Sequence, residues 1–273
     1  MPCRSLAPLF LAALLPLPAL AVTPEEARNE VAAALRERLP DLAPQDYALG
    51  AAAFDAELRS QVAENAAGAA AAIAAGKVLW TRKFRNGRTL SGCFPNGGRR
   101  IAASYPQFDP RLKRVVTLEM AVNQCLKSHN ETLYEHGDAG TMGAVIAYLR
   151  SLADGQKVAV RVPAAAEERF EQGRRLYHSR LGQRNYACAS CHVQGAGRRF
   201  GEVPLSPAIG QATHWPVVRD GKPVTLQARM RECLELMGAA AFPAGSEELN
   251  HIEYYLTYLS NGQPLKSNVW RGW

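Results

Sequence analysis

The chain repeats itself, and the repeat limits the fold more than any single residue does. Thr117-Leu118 is followed after six residues by Cys125-Leu126, and Thr225-Leu226 after six residues by Cys233-Leu234. Downstream, Val145-Ile146-Ala147-Tyr148-Leu149 running to Gly155-Gln156 resembles Ile252-Glu253-Tyr254-Tyr255-Leu256 running to Gly262-Gln263. In both, apolar residues at helical spacing lead to a glycine stop. Upstream, Gly76-Lys77-Val78-Leu79-Trp80 resembles Gly173-Arg174-Arg175-Leu176-Tyr177. Three matches in one order at nearly one offset read as a duplication, roughly 55–157 and 165–264, with a charged helix before it and a short tail after. The linker runs from Lys157 to Ala166 and holds Pro163. Helical patterns dominate both halves and strand signals are few. Each half is therefore expected to be a small, mainly α, loop-rich unit, of the kind that needs a covalent staple or a cofactor.

The first 21 residues have the form of a secretory signal peptide. Arg4 supplies a positive start, Leu9 to Leu20 is an apolar core too short for a bilayer, and Ala19-Leu20-Ala21 is a small-x-small cleavage site. No later stretch is long and apolar enough to span a membrane. Cleavage after Ala21 divides the mature chain into 22–157 and 166–273 around the linker. The formal net charge of +7, diffuse along the chain, suits an anionic substrate or an acidic protein partner. Nucleic acid is excluded as a partner, since the chain is exported and has no basic helix or aromatic platform. Five cysteines remain: Cys93, Cys125, Cys188, Cys191 and Cys233. An odd number in an oxidising compartment requires a role other than disulfide for at least one.

Cys188-Ala189-Ser190-Cys191-His192 is a C-x-x-C-H motif, the signature of covalent c-type haem attachment in an exported chain. Two thiols form thioethers to the porphyrin and the adjacent histidine ligates iron. A thioredoxin-like disulfide would need a βαβ context, and a structural zinc site a second ligand pair; neither is visible. The first half has only Leu90-Ser91-Gly92-Cys93-Phe94-Pro95-Asn96 at the matching place. It cannot hold haem in this way, so one haem c is expected in all. Cys93 then lies near the place of a thioether cysteine, and Cys125 matches Cys233. With the haem gone the pair should come close enough to bond, and a Cys93–Cys125 disulfide is expected to replace the cofactor as a staple.

The second axial ligand is less constrained. Met230, Met237, Cys233, His214 and His251 are candidates, and methionine or histidine is usual in c-type haems. A His192/Met237 pair would make a plain electron carrier. The repeat favours Cys233, which is left over once the disulfide and thioethers are assigned. Arg229 lies one helical turn before it, where a guanidinium shares its face, would lower the thiol pKa and could bind an oxyanion. Arg231 points elsewhere on such a helix. His214 and Trp215 read equally well as packing or pocket residues.

The C-x-x-C-H at 188–192, Trp215-Pro216 followed by Arg219, the R-x-x-x-C of Arg229 and Cys233, and Tyr105-Pro106 with Phe108-Asp109 together resemble the SoxA family of bacterial SoxAX cytochromes. The resemblance covers nearly the whole mature chain. It implies two tandem cytochrome c-like domains. The lack of a first-half C-x-x-C-H resembles the single-haem branch, in which a disulfide takes that place. It further implies a periplasmic L-cysteine S-thiosulfotransferase, which joins thiosulfate oxidatively to a cysteine of the SoxYZ carrier, with electrons leaving through haem to the partner cytochrome SoxX. By the same resemblance His192 and Cys233 ligate iron, Cys233 is catalytic and occurs as a persulfide, and Arg229 binds the sulfonate end of thiosulfate. A thiosulfate dehydrogenase that needs no carrier is the other enzymatic reading.

Overall fold

The match between the halves has its physical reason at Gly76 and Gly173. A computed structural model describes residues 22–269 and 271; the expected signal peptide lies outside them. Before the linker the chain forms helices α1 (Pro24–Arg38), α2 (Ala56–Gly68) and α3 (Ala70–Thr81), a hairpin of β1 (Gln107–Asp109) and β2 (Arg114–Val116), then α4 (Leu118–Ser128) and α5 (Ala144–Ser151). After it come α6 (Glu167–His178), α7 (Cys188–His192), a hairpin of β3 (Arg199–Phe200) and β4 (Val203–Pro204), a hairpin of β5 (Val217–Arg219) and β6 (Lys222–Val224), α8 (Leu226–Leu236) and α9 (Glu247–Leu259). In the first half α3 crosses α5, and in the second α6 crosses α9. A Cβ on Gly76 would stand 1.9 Å from the carbonyl oxygen of Ala144, and one on Gly173 2.0 Å from that of His251. Only glycine permits either approach.

The rest of the repeat follows. Each half carries an antiparallel hairpin, paired Gln107↔Val116 in one and Val217↔Val224 in the other, directly after a cis X-Pro bond (Tyr105-Pro106, Trp215-Pro216). Each hairpin delivers a threonine N-cap. Thr117 Oγ1 accepts from the Met120 N–H at 3.3 Å, and Thr225 Oγ1 from the Ala228 N–H at 3.2 Å. The cap starts α4 and α8 at matching residues. Cys125 and Cys233 therefore occupy the same place on matching helices. The fold is mainly α, two cytochrome c-like units in tandem. Among the described residues no helix is long and apolar enough to cross a membrane.

In the first half Cys93 and Cys125 are joined by a disulfide, with Cα atoms 6.0 Å apart. Trp80, the counterpart of Tyr177, is fully buried; its ring centroid lies 5.0 Å from that of Phe94, and its Nε1 donates to the Gly97 carbonyl at 3.1 Å. Gly98 closes over it at φ +88°, where a Cβ would stand 2.7 Å from Trp80 Cζ2. The Trp80 indole and Cys125 thus lie in the interior of this half, with half-buried Phe94 against the indole and exposed Cys93 closing the disulfide from the surface.

The N-terminal segment packs across the chain. Thr23 and Glu26 form a reciprocal cap at the start of α1. Arg28 then donates to the carbonyls of Leu259 (3.3 Å) and Asn261 (2.7 Å), and Arg38 Nε to that of Ala196 (3.2 Å). Residues 22–54 precede the first half in the chain, but these contacts lie with the second. The C-terminal tail is the second tie: Val158 N–H donates to Gln263 O (2.9 Å), Ser267 N–H to Asp154 Oδ1 (3.0 Å) and Asn268 Nδ2 to Ala147 O (3.0 Å).

Candidate functional site

One wall of the site is α7. The Ala187 N–H donates to Ser190 Oγ at 3.1 Å and closes the turn. Cys188 and Cys191, three residues apart, share a face of it. His192 follows, with its Nδ1 2.8 Å from the carbonyl oxygen of Ser206. A carbonyl only accepts, so Nδ1 carries the hydrogen and Nε2 keeps its lone pair. Ser206 Oγ stands 3.2 Å from the same nitrogen, and the Gln211 amide lies against the ring, its Nε2 3.2 Å from both ring nitrogens. Burial, with the Arg229 charge adding to it and the Ser206 bond opposing, pushes the His192 pKa down to about 4. The imidazole is therefore neutral at pH 7, the form that binds a metal.

The facing wall is α8. Leu226 and Leu234 point into the core, and Arg229 and Cys233 line the space toward α7. Two hollows meet there, and Cys191, His192, Arg229, Cys233, Leu236 and Met237 line both. The inner one is walled by apolar side chains such as Leu226, Met230, Ile252 and Leu256. The outer one opens past Arg184, Tyr186 and Phe200. Tyr186, Phe200 and Leu236 are 41%, 41% and 47% exposed, an apolar rim on this mouth. α8 is held against α9 by Gln227, whose Nε2 donates to Asn250 Oδ1 (2.9 Å) and Glu253 Oε2 (2.8 Å) while its Oε1 accepts from the Gly245 N–H (2.7 Å).

The residues present fit a haem c. Two thiols share a face beside an imidazole with a free lone pair, the slot behind them is apolar, and a sulfur lines the opposite wall. Tyr177, buried on the slot wall, has a hydroxyl with no hydrogen-bond partner, a polar atom that an apolar slot alone does not account for. Without the group bound, burial pushes the Cys188 thiol up to about 12 and raises Cys191 as well. Cys233 is also raised: burial leads, the Arg229 guanidinium opposes it, and Glu232 adds to the rise. Arg229 thus acts in the expected direction and burial outweighs it. A coordinating metal ion, not the arginine, is what would stabilise the thiolate enough for this thiol to lose its proton to solvent.

Other expected residues separate cleanly. His214 is buried, its ring 5.2 Å from that of Trp215, with its Cε1 3.8 Å from where a Cβ on Gly50 would stand; it lines neither hollow. His251 contributes its carbonyl to the Gly173 crossing. Neither histidine nor Trp215 lines either hollow, which leaves Cys233, Met230 and Met237 on the slot wall. Arg231 turns away, into a cleft between the halves that Arg114 and Lys127 also line. Sequence reasoning missed Glu232, whose Oε2 accepts from Arg229 Nη1 at 3.3 Å, although its i,i+3 spacing from that arginine is a legible signal. Ser206 and Gln211, which hold His192, carry no signal in the sequence.

A family described as SoxA/TsdA, cytochrome c domain, matches residues 75–158 and again 172–265. The chain is 37% identical to the L-cysteine S-thiosulfotransferase subunit SoxA of Allochromatium vinosum over 269 residues, covering 95% of each protein. It is 38% identical to the subunit of the same name from Chlorobaculum tepidum over 238 residues, 85% of this chain and 82% of that one. Among solved structures, SoxXA from P. pantotrophus aligns with a TM-score of 0.69 at 25% identity, over 77% of this chain and 81% of that chain.

Proposed function

This chain belongs to the SoxA/TsdA cytochrome c family, and from that premise we propose that it is the haem c subunit of a periplasmic L-cysteine S-thiosulfotransferase. The observation that carries the reading is the meeting of Cys191, His192, Arg229 and Cys233 on one slot whose mouth opens to solvent. One haem c would be held by Cys188 and Cys191 as thioethers, and His192 and Cys233 are the residues that would bind its iron. The haemless domain spans 22–157, the haem domain 166–273, and residues 1–21 are the cleaved export signal. SoxX is the partner subunit and SoxYZ the carrier. The tight match to proteins named for the thiosulfotransferase supports the choice of substrate and acceptor.

A carrier thiol and a thiosulfate dianion lose one proton and two electrons as a sulfur–sulfur bond forms between them, giving a cysteine S-thiosulfonate. Haem c, when bound, supplies the exit for the electrons. Arg229, only 17% exposed, offers a guanidinium whose fork matches the sulfonate oxygens and which is little screened there. Cys233, one turn on, presents sulfur to the same space, as thiolate or as persulfide. The apolar rim of Tyr186, Phe200 and Leu236, beside Arg184, offers the carrier a surface to lie against at the mouth.

The test is the intact mass of the carrier after incubation with thiosulfate, the haem-loaded chain and its partner cytochrome. The carrier should gain the thiosulfonate with the wild-type chain and not with Cys233→Ala. Turnover of thiosulfate by the chain without any carrier would point to a thiosulfate dehydrogenase. A methionine-ligated haem spectrum that survives Cys233→Ala would leave a plain electron carrier.

A further inference from the structure

Beside Cys233 the carboxylate of Glu232 is shared by two arginines. Arg219 Nη2 donates to Glu232 Oε1 at 2.8 Å and its Nη1 to Oε2 at 3.4 Å; Arg229 Nη1 reaches the same Oε2 at 3.3 Å. Arg219 thus holds Oε1 at short range, while Oε2 lies between the two guanidinium groups, 3.4 Å from Arg219 and 3.3 Å from Arg229. The two arginines come from different elements. Arg219 ends β5 and pairs with Lys222 across the hairpin, so its backbone is set independently of α8. Glu232 and Arg229 are three residues apart on α8, close enough to form a full fork of their own if nothing drew the carboxylate away. All three side chains are shielded in part, with exposures of 34% for Arg219, 34% for Glu232 and 17% for Arg229.

We propose that Arg219 is a clamp on Glu232. By holding Oε1 at 2.8 Å, it leaves only Oε2 for Arg229 to contact, limits how much of the Arg229 guanidinium Glu232 occupies, and so sets the affinity of Arg229 for the anionic substrate. Arg219 and Glu232 are positioning residues in this scheme; Arg229 is the group that touches substrate. The inference rests on the reading that Arg229 binds the sulfonate of thiosulfate. It makes a specific demand on signs. Loss of Arg219 releases Glu232 to compete with substrate for Arg229, so binding weakens. Loss of the Glu232 charge removes the competitor, so binding tightens. Loss of both removes Glu232 as a competitor, so the loss of Arg219 no longer matters and the second substitution repairs the first. A cation that merely attracted the anion, or contacted it, would cost as much in the Glu232→Gln background as in the wild type, whereas a clamp costs nothing once its target is neutral.

The experiment is calorimetric titration of the oxidised, haem-loaded chain in complex with its partner cytochrome, with sodium thiosulfate as the probe, alongside KM and kcat. Arg219→Gln should weaken thiosulfate binding and raise KM roughly tenfold, the worth of one charge-assisted hydrogen bond, with kcat changed less than threefold. Arg219→Lys keeps the charge without the fork and should fall between. Glu232→Gln should bind more tightly than wild type, and the double variant as tightly as Glu232→Gln. A double variant weaker than Glu232→Gln by the same tenfold that Arg219→Gln costs in the wild type, or a Glu232→Gln that binds more weakly than wild type, overturns the clamp. Arg229→Gln separates the two layers. If it leaves thiosulfate binding unchanged, the reading of Arg229 itself fails. If it abolishes binding while the double variant is not repaired, only the clamp fails. The haem Soret band and far-ultraviolet circular dichroism confirm that each variant is folded.

Discussion

Replacing Cys93 and Cys125 together by alanine tests whether a staple stands in for a cofactor. The bond closes a loop over a sequence separation of 32 residues. In the chain-entropy account, a loop of that length takes about 12 cal/mol/K out of the unfolded chain, or about 3.7 kcal/mol at 25 °C. Cys125 is buried, so the new alanine also leaves a small gap that adds to the loss, whereas Cys93 is exposed and adds little. The expected change is a loss of about 4 kcal/mol, a large share of what holds a typical domain folded. The assay is urea unfolding of the haem-loaded chain, followed by circular dichroism and by haem absorbance in the same samples. Dichroism should show the first half unfolding at lower urea, while the haem band holds to higher urea. Dithiothreitol should produce the same shift in the wild type and none in the variant. A loss under about 1 kcal/mol would refute the reasoning, because Trp80, Phe94 and Gly98 would then close the haemless half without covalent help.

Two more perturbations follow from the packing. Gly173→Ala puts a Cβ 2.0 Å from the His251 carbonyl oxygen, so α6 and α9 must part; the cost should be about 3 kcal/mol or more, read as a lower urea midpoint with weakened haem retention. Gly76→Ala, at 1.9 Å from the Ala144 carbonyl oxygen, should cost as much and leave the haem spectrum unchanged. Glu253 is buried near Glu119, and these push its carboxyl up to about 8 against the pull of Gln227 and Arg150. Its folded pKa thus lies above the ordinary 4.5, so the folded state holds a proton that the unfolded chain releases. Stability from this group is full below about pH 4.5 and is lost as pH rises through about 8, and Glu253→Gln should flatten that part of a pH series of urea midpoints. A variant whose midpoints still fall in parallel with the wild type would place the proton elsewhere.

Much of the site could be read before any coordinates. A cysteine pair with an adjacent histidine has one common use in an exported chain, and the repeat tied Cys125 to Cys233 by counting residues from a threonine. The counting works because a threonine cap starts each helix at a defined residue, and helical geometry carries that register forward. The hairpins were nearly invisible, since strands of three residues are too short to alternate. The pairing of residues 22–54 with the second half was equally hidden. It depends on Arg28 and Arg38 reaching carbonyls more than 150 residues away, and an exposed-looking arginine carries no mark of its partner.

The sequence by itself determined the duplication, the attachment motif, the unpaired thiol at Cys233 and the arginine one turn before it. Each is a matter of local spacing, which covalent geometry and the helical period convert directly into position. Only the tertiary structure decided which long-range neighbours those residues meet. It removed His214 and His251 from the slot, set burial against Arg229 at the Cys233 thiol, and brought Arg219 from a hairpin onto Glu232. Those outcomes depend on burial and on contacts between distant segments, which arise only when α8 folds against α7, α9 and the β5–β6 hairpin.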